Sequence, residues 1–557
     1  MEMTIYEKDQ EFVVKMLRQG EFDYIDGGDE VFESDFFRFI NARGYLHEMA
    51  KTYPSPREKL DVPLWFFLSS DVAMRLHGCN AFHQYAYVVH SGGMLSALGP
   101  QVGTKAVHPR TGALTVSCPG FNKKNEYDRQ TPCDQDFLRK MARDTDADEL
   151  MDWYNKDVSL VFKKHKQFDP EGIFIGDASY LFVPDNEAYE RSVVMLFDKH
   201  NHPVDSKEIP ADKKGEYRWR RCYKMVSLLH TDRAGGRFVV AAVKVVPGNT
   251  HECPVLYDMV DAFVAAMGEG VIRRLILDRG FLDGEKISRC KLEHGIDVLI
   301  PLKRSMDIYQ DALQLLPRVQ EHFEPWHPPA VPQEPPLVVP KPERIRKREL
   351  KRRKTLEAKR QQQPPPPPPP DETVVASHVV KIPALLSWDT CPIPLHVVVS
   401  RETFADGHQD LWMLIDTNAA LSPGESRSDY LMRARIEERH RQFKCFTDLQ
   451  AFTSRAFSLV VNQVVFILLT YSLVQIYLCH CDSPQLNRKP PSRVRRQLLP
   501  AASYILIFCQ GKVAFLDSVR YTDIILSLEG EARQKAIRKI KELKQQLLEA
   551  LHSPRPP

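Results

Sequence analysis

From about residue 170 the chain alternates short apolar runs with turn residues, the pattern of strands in a mixed sheet. The runs are GIFIGD (172–177), SVVMLFD (192–198), RFVVAAVKVV (237–246), RRLILD (273–278) and DVLIPL (297–302). Helical periodicity fills 252–268 between the third and fourth runs and 283–294 between the fourth and fifth. Three strands followed by alternating helix and strand predict an α/β core with a mixed sheet, an order that other mixed folds share. Upstream, residues 1–165 predict a mostly helical N-terminal domain, with an aromatic-rich stretch at 63–78 and a capped segment near Thr145. It holds no clean helix-turn-helix pattern, so DNA binding and simple packing on the core both fit it. Downstream, 457–478 is one apolar run long enough to span a bilayer. Asn462, Gln463 and Gln475 within it, and the lack of a second such run, favour a buried core helix.

Between 305 and 415 this order breaks. Prolines crowd 324–342, Lys and Arg crowd 343–360, and 361–370 is three glutamines followed by seven prolines. Proline removes amide donors and enforces an extended chain, so 324–373 predicts a largely disordered or semi-rigid excursion. Strand-like segments follow near 374–400 and at LWMLID, 411–416. The predicted division is a helical N-terminal domain (1–165), a core in two pieces (166–304 and 416–500), an insertion (305–415) and a C-terminal helical segment (501–557). The last carries an amphipathic stripe of Ile537, Ile540, Leu543, Leu547 and Leu551, which packs on its own core or meets a second protomer.

A net charge of +3 is too small to name a partner. The basic run from Lys341 to Arg360 either screens phosphates or is a solvated linker. Eleven cysteines without a CxxC pair give no disulfide framework and no zinc ribbon, and Cys479, His480 and Cys481 are short of ligands for a metal. The first residues carry Glu2, Glu7, Asp9 and Glu11 where an export signal needs a basic start, so a cytoplasmic, reducing location is expected.

The chemistry concentrates in YLMRARIEERHRQFK. On a single helix Tyr430, Arg433, Glu437 and Lys444 fall within an arc of roughly 60°. One face then offers a carboxylate among a phenol, a guanidinium and an ammonium, a set suited to a phosphodiester; an ordinary Arg433–Glu437 ion pair is the bland alternative. Two further acids stand out. Asp177 closes IFIGD on the same side as Ile173 and Ile175, where a buried carboxylate needs a cation or a partner. Asp278 ends LILD at the carboxyl end of a strand, where open α/β sheets build their sites.

Together these segments resemble the DDE transposases of bacterial insertion sequences, in particular the insertion-sequence-four branch with its Y-x2-R-x3-E-x6-K signature. Tyr430, Arg433, Glu437 and Lys444 match all four positions; Asp278, Arg279, Gly280 and Phe281 match the second block, followed by HGIDVLIPLKR, and GDASY around Asp177 matches the first. CYKMVSLL and VPGNTHE resemble the sequence between blocks. The resemblance covers roughly 170–304 and 411–480. It implies a ribonuclease-H-like core interrupted by a β-rich insertion between the second and third acids, although polyproline and a basic run depart from the usual insertion. It also implies that Asp177, Asp278 and Glu437 hold two Mg²⁺ ions about 3.5–4 Å apart, with Mn²⁺ as a possible substitute. Tyr430, Arg433 and Lys444, with Arg279 and Lys303, would contact DNA. The implied activity is cleavage at transposon ends and strand transfer into target DNA by a homodimer, with no membrane partner. A transposase-derived DNA-binding protein that does not cut, and a metal nuclease without strand transfer, are the alternatives.

Overall fold

A computed structural model describes residues 7–27, 29–58, 62–85, 104–107, 114–117, 133–205, 217–328, 373–447, 449–482, 504–510 and 512–552. The chain divides into two compact units, Met1–Arg273 with Ala434–Pro557, and Arg274–Arg433.

The first unit begins with α1 (Glu7–Arg18), β1 (Tyr24–Gly27), α2 (Asp29–Arg43), α3 (Tyr45–Ala50) and α4 (Leu64–Leu76). A small hairpin of β2 (Thr104–Val107) and β3 (Leu114–Ser117) follows, then α5 (Gln135–Asp144), α6 (Ala147–Trp153) and α7 (Ser159–Lys164). Asp146 caps α6 by accepting from the amides of Asp148 and Glu149. Four antiparallel strands come next, β4 (Ile173–Val183), β5 (Val193–Phe197), β6 (Arg218–Thr231) and β7 (Phe238–Pro247), and then α8 (Glu252–Met267).

β6 is central. It pairs along one edge with β4, and along the other with β5 over Arg218–Cys222 and with β7 over Tyr223–Thr231. From Cys222 onward every residue of β6 is buried, so both faces are covered and the alternation that marks a half-exposed strand is absent. Lys224 lies in that buried stretch; its Nζ donates to Thr250 O and Glu252 Oε2, both at 2.6 Å.

In the second unit, β8 (Arg274–Ile276) runs parallel to β9 (Asp297–Pro301), joined by the crossover helix α9 (Gly284–His294). After α10 (Asp307–Leu315), β10 (Glu324–Pro325), β11 (Val374–Leu385), β12 (Leu395–Phe404) and β13 (Gln409–Asp416) form an antiparallel series that ends on β9. The Pro/Lys/Arg-rich excursion expected over 324–373 lies outside the described residues from 329 to 372. Its first residues correct the expectation, because β10 pairs with β11 and Trp326 is buried, its amide donating to Ser377 O at 2.8 Å. The unit closes with α11 (Pro423–Leu431), whose start is fixed by a capping box of Ser422 and Glu425 with Pro423 in the first turn.

The chain then continues through α12 (Arg433–Phe446), α13 (Phe457–His480), β14 (Tyr504–Cys509), β15 (Lys512–Asp517), α14 (Ser518–Leu526) and α15 (Gly530–His552). α13 is the apolar run, and it is long and apolar enough to cross a membrane. Its side chains are buried on all sides within the first unit, with Phe466 against Phe67 and Trp153, and Tyr477 against Phe36. Each fully buried aliphatic or aromatic side chain contributes about 1.5–3 kcal/mol, so this packing accounts for its composition without lipid. The N-terminal helices surround it and share its unit with the sheet.

β1 pairs with β14 and β14 with β15, joining both chain ends in one three-stranded sheet. α1, α14 and α15 enclose a core of Val13, Leu17, Phe22, Ile507, Leu516, Ile524 and Ala536, with Leu543 packed against it. Ile537 and Ile540 of the predicted stripe stay 44% and 39% exposed. The side chains of Leu547 and Leu551 lie outside the described residues.

Candidate active site

In the first unit the site is built on β4, β6 and α12. Asp177 on β4 lies opposite Ser227 on β6 in the strand register. His440 of α12 sits over both; its Nε2 is 2.8 Å from Ser227 Oγ and its Nδ1 3.7 Å from Asp177 Oδ2. All three are shielded from solvent, with His440 and Ser227 buried and the Asp177 side chain 14% exposed. An imidazole with its proton on Nδ1 turns that proton toward the carboxylate and accepts from the serine hydroxyl. Asp177 also accepts from the amide of Ala178 at 2.8 Å. One helical turn on, Lys444 Nζ donates to Ser179 Oγ at 2.6 Å, two residues along the same strand face. Burial holds the Lys444 ammonium below its ordinary range, against the attraction of Asp177. Glu437 precedes His440 by one turn on the same helical face and is exposed.

α12 is held from its start as well. Arg435 reaches the β6–β7 turn, donating to Thr231 Oγ1 and to the carbonyls of Asp232 and Arg233. The turn itself needs Gly235, whose φ is +71° and whose added Cβ would stand 3.2 Å from the Arg435 guanidinium carbon. Arg439, 1% exposed, lies with its guanidinium 4.1 Å from the centre of the Phe238 ring.

In the second unit Asp278 follows β8. Its Oδ1 accepts from the amide of Arg279 at 2.7 Å, and Oδ2 is 3.3 Å from Arg433 Nη2. Arg433 therefore pairs with the second acid rather than serving only the i,i+4 pair that helical spacing offers. Tyr430 lies on α11 with its ring centre 5.9 Å from that of Trp412, and Arg279 and Lys303 are exposed. The single helix expected from Tyr430 to Lys444 is corrected here. The amide of Met432 donates to Asp429 O, three residues back, so the chain closes α11 and starts α12 at Arg433. Tyr430 thus belongs to a different helix from Glu437 and Lys444, and the common 60° face holds only for the later residues.

Beneath Asp278 lies a buried ionic network. Arg274, at the start of β8, donates to both oxygens of Asp416 at 2.6 and 2.7 Å and to Asp429 Oδ2 at 3.2 Å. Ser426 donates to Asp416 at 2.6 Å. Burial works to raise the Asp416 carboxyl, but the Arg274 bonds and charge outweigh it and hold it below the usual carboxylate range. The network ties the strand carrying Asp278 to the end of β13 and to the helix that delivers Tyr430.

Of the three acids expected from the sequence, Asp177 and Glu437 belong to the first unit and Asp278 to the second. Within either unit, among the described residues, no three His, Cys, Asp or Glu side chains gather as a metal-holding group. The donor set itself suits a hard divalent cation, because it offers carboxylate oxygens and no sulfur, and two of the three acids already face a basic side chain. Sequence reading missed His440, Ser227 and Ser179. GDASY held a signal for Ser179, since residues two apart share a strand face; His440 was hidden in the run from Glu437 to Gln442, where every residue is charged or polar.

No curated protein is significantly similar to the chain. Asp278, Arg279, Lys303, Tyr430, Arg433, Glu437 and Lys444 lie inside a segment matched by a family model, whereas Asp177 precedes it. That segment, residues 202–473, is similar to the family described as the transposase DDE domain.

Proposed function

We propose that this protein is a cut-and-paste transposase of the insertion-sequence-four type, with Asp177, Asp278 and Glu437 as its metal-holding acids. The observation that carries the reading is the seating of α12 on β4: His440 at Asp177 and Lys444 at Ser179 put the helix that bears Glu437 against the strand that bears the first acid. When bound, a pair of Mg²⁺ ions supplies activation of the attacking oxygen and stabilisation of the leaving one, and Mn²⁺ can substitute. Lys444, Arg433 and Tyr430 hold the phosphates beside the scissile bond, Arg433 by its planar donor pair and Lys444 as a point charge. Arg279 and Lys303 add cations at the exposed rim.

Two displacements follow at phosphorus. Water oxygen bonds to the phosphorus at the element's end, the P–O3′ bond breaks, and the 3′ oxygen leaves protonated. That 3′-hydroxyl then attacks a target phosphorus, loses its proton, and displaces the target's own 3′ oxygen. Two copies of the chain act together because two ends must be joined.

The test incubates purified protein with labelled element-end DNA and Mg²⁺. Nicking and joined products are expected from the native chain, and neither from Asp177→Asn, Asp278→Asn or Glu437→Gln. Nicking without joining by the native chain would make it a nuclease. Binding without nicking would make it a non-cutting DNA-binding protein. Nicking that persists in the variants would remove the assigned acids.

A further inference from the structure

Ser227 stands in the middle of the β6 stretch MVSLL, with Met225, Val226, Leu228 and Leu229 all buried around it. Ser227 itself is 2% exposed, and a hydroxyl taken that far from water costs free energy unless it is hydrogen-bonded. β6 runs between β4 and β7, with Ser227 opposite Asp177 on one side and Val243 on the other. The main-chain groups beside the hydroxyl are therefore engaged in the two ladders. Among the described residues its hydrogen-bond partner is Nε2 of His440, at 2.8 Å.

A serine hydroxyl has a single hydrogen to give, whereas an imidazole nitrogen either donates or accepts. Were Nε2 to carry a hydrogen, the hydroxyl would have to accept it, and the serine's own hydrogen would be buried with nothing to meet it. An unmet buried donor is the costlier state. With Nε2 bare, the serine donates and both atoms are satisfied. The ring's hydrogen then sits on Nδ1, the nitrogen 3.7 Å from Asp177 Oδ2. Asp177 Oδ1 takes the Ala178 amide at 2.8 Å, so each oxygen of the carboxylate faces an N–H group. The hydroxyl, the imidazole and the acid thus form one directed series that starts at a residue shielded from solvent.

We propose that Ser227 is a positioning residue whose hydroxyl fixes the tautomer of His440 and, through it, holds the Asp177 carboxylate ready for a divalent cation. This rests on the reading of Asp177 as a metal-holding acid. Groups behind a metal ligand set its orientation and its basicity, and here the outermost of them is a serine on the neighbouring strand. Because it acts through the imidazole, its effect must vanish when the imidazole is gone.

The test uses the full chain without DNA. Histidine is labelled with nitrogen-15, and the His440 resonances are identified by their absence from His440→Gln. Without metal, the native ring should carry its hydrogen on Nδ1 and none on Nε2, and Ser227→Ala should bring in the Nε2–H form. A hydrogen on Nε2 in the native protein, or a ring that Ser227→Ala leaves unchanged, would overturn the proposal. Manganese affinity is then followed through the electron paramagnetic resonance of the free ion, for the native chain, Ser227→Ala, His440→Ala and the variant carrying both. Ser227→Ala should weaken binding by about 3- to 10-fold, the weight of one ordinary hydrogen bond. In the His440→Ala background the same substitution should change it by no more than about twofold. An equal loss in both backgrounds would overturn the proposal, because damage to the fold adds to the loss of His440 instead of disappearing with it. Asp177→Asn keeps the two readings apart. Native-like manganese affinity in Asp177→Asn would sink the metal-holding reading and the role of Ser227 with it. Affinity lost in Asp177→Asn but kept in Ser227→Ala would sink the role of Ser227 alone.

Discussion

Replacing Arg274 with methionine tests how the second acid is held. The substitution leaves Asp416 and Asp429, both with fully buried side chains, without the guanidinium that bonds to each. Removing one partner of a buried ion pair costs about 3–5 kcal/mol, because the remaining charge is uncompensated. The loss should appear first as local opening of β8 and β9, read by hydrogen exchange at Leu277, whose amide donates to Leu299 O, and Thr417, whose amide donates to Val298 O. Opening constants should rise roughly 200- to 5,000-fold. The pH dependence has a definite sign. In the native chain Asp416 is depressed, so its contribution is present above the unfolded value near 3.8 and is lost as pH falls through the lower folded value. Without Arg274, burial dominates and the carboxyl rises, so protonation relieves the strain and the deficit shrinks as the solution is acidified from neutral. A triple variant that also carries Asp416→Asn and Asp429→Asn should recover much of the loss at neutral pH. Unchanged exchange at Leu277 and Thr417, or a deficit that does not shrink on acidification, would refute the reasoning.

Other perturbations reach different parts of the structure. His440→Ala removes the group that faces Asp177 and should raise the Mg²⁺ concentration for half-maximal nicking by about 10- to 100-fold, the usual effect of losing a group that orients a metal ligand, with little change in DNA affinity without metal. A parallel loss of metal-free DNA binding would show a folding defect instead. His230 is buried, with Nε2 accepting from the Asp169 amide and Nδ1 at Ile173 O, and burial pushes its imidazole down to about 4. Its depressed value means the unfolded chain takes the proton first, so stability should fall by up to roughly 3 kcal/mol as pH drops from 6.5 toward 4. In urea melts His230→Gln should flatten this acid limb, and an unchanged slope would remove His230 as its source. Gly235→Ala forces a left-handed backbone on a residue with a side chain and crowds Arg435, which should cost about 1–2 kcal/mol by the same melts. Wild-type stability in that variant would mean the turn relaxes at no cost.

How much of this was legible in the sequence depends on the range of the interaction involved. The runs at 172–177, 192–198, 237–246, 273–278 and 297–302 each fall on a strand, and 252–268 and 283–294 each fall on a helix, because burial leaves a local apolar signature. β6 was visible only as a likeness between blocks. Its mixed RWRRCYKMVSLLHT pattern hides a strand whose inner part is covered on both faces, with Lys224 made tolerable by Glu252 and Thr250. The pairing of β1 with β14 joins residues nearly a chain length apart and leaves no local trace. At the site, Asp278 after its short strand and the charged helix could be picked out by residue type and spacing, whereas Asp177, read as closing its apolar run, lies in the middle of β4, which continues to Val183. The break at Met432 could not, since nothing in YLMRAR disfavours a helix; nor could the contact of His440 with Ser227 and Asp177, which depends on how α12 lies across two strands.

If three acids far apart in sequence serve one metal site, as proposed, iron-directed backbone cleavage will read their common proximity to the ion. Ferrous iron is loaded in place of magnesium, and hydroxyl radicals generated with ascorbate and peroxide cut the polypeptide beside the bound ion. Fragments ending near residues 177, 278 and 437, all suppressed by excess Mg²⁺ and all lost together in Asp177→Asn, are the predicted result. Cuts confined to one of these positions, or a pattern that Asp177→Asn leaves unchanged at the other two, would contradict the account.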